Sequence, residues 1–148
     1  MTDVKGTGLP STAVFQLGTL GAVAEARFAR AVEELGLKPK HAGLMTALAA
    51  VAAESQQELA ARLGVAPSLV VSLADQLEAL GAVRRTRDPN DRRRQVLTLT
   101  ETGHALLARC EALAHTLDDE LLADLTPDQR AALAEALGIV AQGGRGPR

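Results

Sequence analysis

The chain has 148 residues, 47% of them apolar, a formal charge of −2 and one cysteine. That length supports one domain with a real core and falls short of two of ordinary size, while the lone Cys110 excludes an intrachain disulfide and suits a reducing cytosol. No apolar run approaches a membrane span and no signal-peptide pattern is present, so a cytoplasmic protein with no membrane contact is expected. The apolar content is mainly Ala, Leu and Val, with Phe15 and Phe28 the only aromatics, which favours a mostly α fold.

Residues 1–10 read as a flexible arm. From Ser11, Val14, Leu17, Gly21, Ala24, Phe28, Ala31 and Leu35 alternate steps of three and four, which predicts a long amphipathic helix closed by Gly36. Pro39 opens a second helix to about Ala52, burying Met45 and Leu48. Ser55 and Glu58 form a capping box for a third helix, which Gly64 stops. Pro67 begins a fourth, running to Leu80 and ended by Gly81.

Val83–Arg87 and Gln95–Leu99 read as a hairpin turning on Pro89–Asn90. Thr100 caps a fifth helix from Glu101, with Leu106, Cys110, Leu113, Leu117 and Leu121 on one face. Thr126, Pro127 and Gln129 make a second capping box, opening a sixth helix with Leu133, Leu137 and Val140. Residues 142–148 read as a disordered tail. The expected architecture is mostly α with a small β-hairpin wing: a winged helix–turn–helix over 39–100 within a single domain of 11–141.

Charge is segregated along the chain. Residues 84–94 hold six arginines against two aspartates, a local +4, whereas 109–137 hold seven acids against two arginines, a local −5. A polyanion responds to that distribution more than to the total. The helix–turn–helix has the residues the motif needs: Ala60 where the helices cross, Gly64 at the turn, and Leu59, Leu63, Val65, Val70 and Leu73 as the wedge. Arg92, Arg93 and Arg94 follow at the hairpin tip, where arginine suits a narrow minor groove and Asp91 is placed to orient a guanidinium. The flanking helices at 11–36 and 101–141 carry more apolar seam than a small reading head can cover, which points to burial against a second copy of the chain.

The stretch from Leu59 to Gly103 resembles the winged helix–turn–helix core of the MarR family of bacterial transcription regulators, most specifically in DPNDRRRQVLTLTETG, Asp88 to Gly103. The resemblance implies a homodimer built through the first, fifth and sixth helices and a duplex DNA operator. It also implies a small phenolic or other lipophilic effector that releases DNA. Position by position, it implies that Arg93 enters the minor groove and Asp91 braces it. Ser68, Ser72 and Gln76 lie on the reading face of the fourth helix, and Arg84, Arg92 and Arg94 complete the expected contact set. Pro67, Leu69 and Val71 stand where polar or basic residues are common, so Leu69 and Val71 would meet thymine methyls instead.

By position in the family, the effector pocket would be lined from the first, second and fifth helices, with His41 and Met45 as members. His41, His104, Cys110 and His115 lack the spacing that puts two metal ligands on one helical face, so no metal or other cofactor is expected. No phosphate loop, nucleophile elbow or catalytic carboxylate pair argues for an enzyme. The two competing readings are a winged-helix module whose acidic helices bind a protein partner, motivated by the apolar recognition face of Leu69 and Val71, and a DNA-binding architectural protein without sequence preference.

Overall fold

The structure is a computed structural model and describes residues 6–144. By contacts the chain separates into two compact units, one ending at Leu113 and the other beginning at Ala114. A 3-10 turn at Leu9–Ser11 leads into α1 (Ala13–Glu33), capped by the Thr12 hydroxyl. There follow α2 (Pro39–Ala49), β1 (Glu54–Ser55), α3 (Gln56–Leu63), α4 (Pro67–Ala79), β2 (Val83–Arg87), β3 (Gln95–Leu99), α5 (Glu101–Leu121) and α6 (Pro127–Gly143).

The expected element order is present, and both wing strands lie where the alternation puts them. Three details differ. The second helix stops at Ala49 rather than Ala52, because the chain leaves it to form β1. β1 then pairs antiparallel with β3, Glu54 opposite Leu97 and Ser55 opposite Val96, so the hairpin is part of a three-stranded sheet ordered β1-β3-β2. The last helix runs through Gly143, into the stretch read as a tail; residues 1–5 of the expected arm and 145–148 lie outside the described residues.

Local chemistry accounts for the helix–turn–helix. The Ser55 hydroxyl accepts the Glu58 N–H (3.1 Å) to start α3, and Gly64 ends it with φ 67°, a left-handed conformation that a side chain disfavours. Gly81, with φ 74°, turns the chain from α4 into the sheet. Leu44, Met45, Leu48, Leu59, Leu77 and Leu97 are fully buried where α2, α3, α4 and the sheet meet. Each such side chain stabilises the fold by about 1.5–3 kcal/mol relative to exposure. Ala60 and Val70 are buried with them as the motif requires, whereas Leu63, expected in the wedge, is exposed.

α1 also departs from the simple seam. Val14, Leu17, Gly21 and Ala24 are exposed; Phe28, Ala31 and Leu35 are half-buried, and the one fully buried side chain is Val32. An ion pair fastens β1: the exposed Arg62 grips the buried Glu54 through Nε (3.0 Å) and Nη2 (2.7 Å), and Nη2 also donates to the Ala47 carbonyl (2.8 Å). Hydrogen bonding to Glu54 holds the Arg62 guanidinium above its ordinary range despite the opposing effect of desolvation. In the second unit, Arg130 donates to Asp119 (2.7 Å), and Thr126 and Gln129 exchange the reciprocal capping bonds expected of them. No helix among the described residues is long and apolar enough to cross a membrane.

The start of α5 lies against the turn that precedes β2. Thr100 donates its N–H to the Ala82 carbonyl (3.0 Å) and its hydroxyl to the Gly81 carbonyl (2.6 Å), then accepts from the Gly103 N–H (3.0 Å). A Cβ on Gly103 would overlap the Ala82 carbonyl oxygen and the Leu99 side chain. Gly103→Ala should therefore destabilise the protein by about 1–3 kcal/mol, since the obstacle includes backbone rather than only a flexible side chain. Urea denaturation checks this, and an unchanged midpoint would contradict the packing described.

Candidate nucleic-acid interface

Outward on α4, Ser68, Val71 and Ser72 are exposed, while Leu69 is half-buried against the core. The apolar face available to a duplex or a partner is thus Val71 rather than Leu69 and Val71 together. Gln76 has a different neighbour from the one expected. Its Oε1 lies 2.5 Å from Nε2 of the buried His41. The other ring nitrogen, Nδ1, accepts the Lys38 N–H at 2.8 Å, so Nε2 carries the proton and donates to Gln76. The Gln76 amide oxygen is engaged on α2 and not held out as a base contact.

At the wing tip the turn lies further along than Pro89–Asn90. Asp88 Oδ1 accepts the Asn90 N–H (2.9 Å), and the Arg94 N–H to Asp91 carbonyl bond (2.9 Å) then closes a turn with Arg92 and Arg93 at its centre. Asp91 braces that turn through the backbone, Oδ1 accepting the Arg93 N–H at 3.0 Å, and makes no ion pair with a guanidinium among the described residues. Its acceptor geometry fits a short polar side chain better than any longer one.

The six arginines of 84–94 divide into two groups. Arg94 forms an ion pair with Glu58 at the start of α3 and lies 3.7 Å from Asp88. Arg85 reaches Gln56, the Val71 carbonyl, Asp75 and Glu78. Arg84, Arg87, Arg92 and Arg93 are exposed and make no ion pair among the described residues. Arg94, expected to contact a ligand, is thus tied to the protein, and Arg87 joins the uncommitted set. The roles of Arg85 and Glu58 escaped the sequence reading. The available signal was Asp75 and Glu78, three apart on one helical face just before an arginine-bearing strand.

A groove of about 1160 Å³ runs along α1, α2 and α4. Ala26, Ala29, Leu37 and Leu73 give it apolar walls, with Arg30, Lys38 and Lys40 at its edge beside Glu25 and Glu33. His41 lines it; Met45, one turn further along α2, points into the core and is fully buried. The fifth helix contributes none of the lining, and α4 takes its place. Among the described residues no group of three His, Cys, Asp or Glu could hold a metal ion.

The helix–turn–helix and its clamped, arginine-bearing hairpin define a winged-helix protein. A family model described as MarR family matches residues 35–94. The HTH-type transcriptional repressor Rv2887 of Mycobacterium tuberculosis is 33% identical over 117 residues, covering 78% of this chain and 84% of that one. A Thauera aromatica protein named for transcriptional regulation of the hcr operon is 34% identical over 108 residues, 72% of this chain, and the match spans 65% of its own length. Among solved structures, the transcriptional repressor CouR bound to a 23-mer DNA duplex has a TM-score of 0.78 and 32% identity, covering 95% of this chain and 99% of that one. CouR from Rhodococcus jostii RHA1 bound to p-coumaroyl-CoA has a TM-score of 0.71 and 25% identity, covering 91% and 96%. The chain belongs to the MarR family of transcriptional regulators.

Cys110 is buried in the core, and that burial pushes its thiol above the ordinary range; Arg109 opposes the shift and Glu111 adds to it. The folded state therefore holds the proton more tightly than the unfolded chain. Stability should be fully present below the unfolded thiol's pKa and fall as pH rises through the folded one. Cys110→Ala should flatten that alkaline decline in urea midpoints. Iodoacetamide should label the native thiol slowly at pH 8 and the denatured one fully; fast native labelling would contradict the burial.

Proposed function

We propose that the protein is a homodimeric repressor that binds a duplex operator in the cytoplasm and releases it when a small lipophilic molecule occupies the groove. The observation that carries this reading is the grouping of Arg84, Arg87, Arg92 and Arg93, exposed and without ion-pair partners among the described residues, on a hairpin fastened to α4. Arginine is weakly hydrated for a cation, and a narrow minor groove concentrates negative potential. Ser68 and Ser72 supply hydrogen-bonding groups for base edges or phosphates, with Val71 available for a thymine methyl. The CouR complex with a DNA duplex supports the same assignment by similarity.

The dimer is supported by apolar surface that the described residues leave uncovered. Val14, Leu17, Leu20 and Val23 on α1 and Leu137, Ile139 and Val140 on α6 are all exposed. A two-fold pair would bury such ridges and present two reading heads to successive major grooves. The effector reading is supported by the groove's apolar walls and by His41, which lines it and holds Gln76 of α4. An occupant that displaced this bond would act on the reading helix directly. The p-coumaroyl-CoA bound by CouR illustrates one ligand of a similar protein.

Arg93→Ala should weaken duplex binding and reduce the salt dependence of affinity by about one unit of log–log slope, as expected for one lost phosphate contact. Mobility shifts over a range of salt concentrations measure both quantities, and unchanged affinity and slope would remove the wing from the mechanism. Sedimentation equilibrium should report a dimer, with Leu17→Asp and Leu20→Asp together shifting it to monomer. A wild-type monomer at micromolar concentration would contradict the assembly.

A further inference from the structure

We propose that Arg85 is a positioning residue for duplex reading: it holds the recognition helix and the wing at a fixed spacing without touching DNA itself. The inference rests on the DNA-binding function proposed above and adds to it the residue that sets the geometry. The Arg85 side chain is only 15% exposed, unlike its neighbour Arg84. From strand β2 it reaches both helices of the helix–turn–helix. Nη2 donates to Gln56 Oε1 at the start of α3 (3.1 Å), to the Val71 carbonyl of α4 (3.2 Å), and pairs with Asp75 Oδ1 (2.6 Å). Nε donates to the same Gln56 oxygen (3.3 Å), and Nη1 pairs with Glu78 (3.2 Å).

A planar fork with several donors can serve all these acceptors at once, whereas a lysine ammonium is a single point on a flexible stem. Two of the acceptors flank the exposed face of α4, and a third is its backbone. Arg85 therefore governs where that helix sits relative to the hairpin that carries Arg92 and Arg93. Simultaneous entry into adjoining grooves requires that spacing to be held within a fraction of an ångström or so. Loss of Arg85 would also leave Asp75 and Glu78 uncompensated beside a polyanion. The charge effect and the spacing effect separate experimentally.

The experiment selects the tightest duplex for the intact wild-type chain from a random pool, then measures affinity for it and for a scrambled duplex across a salt series. Arg84→Met should lower the slope by about one on both duplexes and keep the preference between them. Arg85→Met should lower the preference about tenfold, within the cost of one wrong base pair. Adding Asp75→Asn and Glu78→Gln to Arg85→Met removes the uncompensated charge; preference should stay low while the slope stays at the wild-type value.

Unchanged preference in Arg85→Met would overturn the proposal. So would recovery of preference in the triple variant, which would make Arg85 a charge mask, or a slope reduced by one there, which would make it a phosphate contact. Should Arg85→Met fail to fold, Arg85→Lys keeps one ion pair and carries the test: lost preference supports the proposal, wild-type preference overturns it. A wild-type chain that enriches no duplex defeats the DNA-binding reading itself, and this inference falls with it.

Discussion

Strand β3 is the constraint on which the rest of the reading head depends. It pairs on one side with β1, immediately before α3, and on the other with β2, which follows α4 after one tight turn. Both ends of the helix–turn–helix are therefore fastened to the same five-residue strand. Leu97, at the centre of that strand and fully buried, fixes the sheet to the core, and the Arg62–Glu54 pair closes β1 against the end of α2. The wing is consequently continuous with the helical body and not a free ribbon. A two-stranded hairpin alone is marginally stable in water, so a third strand and a helical layer behind it matter to its rigidity.

Charge is arranged by the same logic. A chain of net −2 presents a cationic edge because residues 84–94 gather six arginines against two aspartates. Within that edge, two arginines are engaged by the protein's own acids and four remain for solvent. Internal pairing costs the interface some of its local charge, and in return it orients the helix and hairpin that bear the free groups. Steering of a polyanion depends on the surplus, while the pairs fix the elements that carry it. His41 adds a polar link from α2 to α4 at the groove, so the reading helix is held from two directions.

Much of the fold could be read from the sequence because its punctuation is local. Pro39, Pro67 and Pro127 open helices, Gly64 and Gly81 stop them, and Ser55, Thr100 and Thr126 cap them, each through atoms within a few residues. β1 was not readable, since two residues carry no alternation and the run Ala49–Ala53 contains no helix stop; only its non-local partner, Val96–Leu97, defines it. Val32 escaped the seam for a related reason: steps of three and four from Phe28 admit either Ala31 or Val32, and packing selects the latter.

The site was legible as composition and not as pairing. A run of arginines announces a cationic wing, yet nothing in the run distinguishes Arg94, whose partner Glu58 lies 36 residues away, from Arg93. Arg85 and its acids, and Gln76 with His41, are likewise joined only by the fold. The MarR-like motif correctly signalled the class of protein, but individual side-chain roles required coordinates.

We propose that each subunit of a symmetric pair offers a helix and a cationic hairpin to adjoining grooves. Hydroxyl-radical footprinting of a selected duplex tests it most directly. Two protected segments about one helical turn apart, each flanked by protection across a neighbouring minor groove, are the expected result. Uniform protection along the duplex, or a single protected patch with no minor-groove flank, would contradict it.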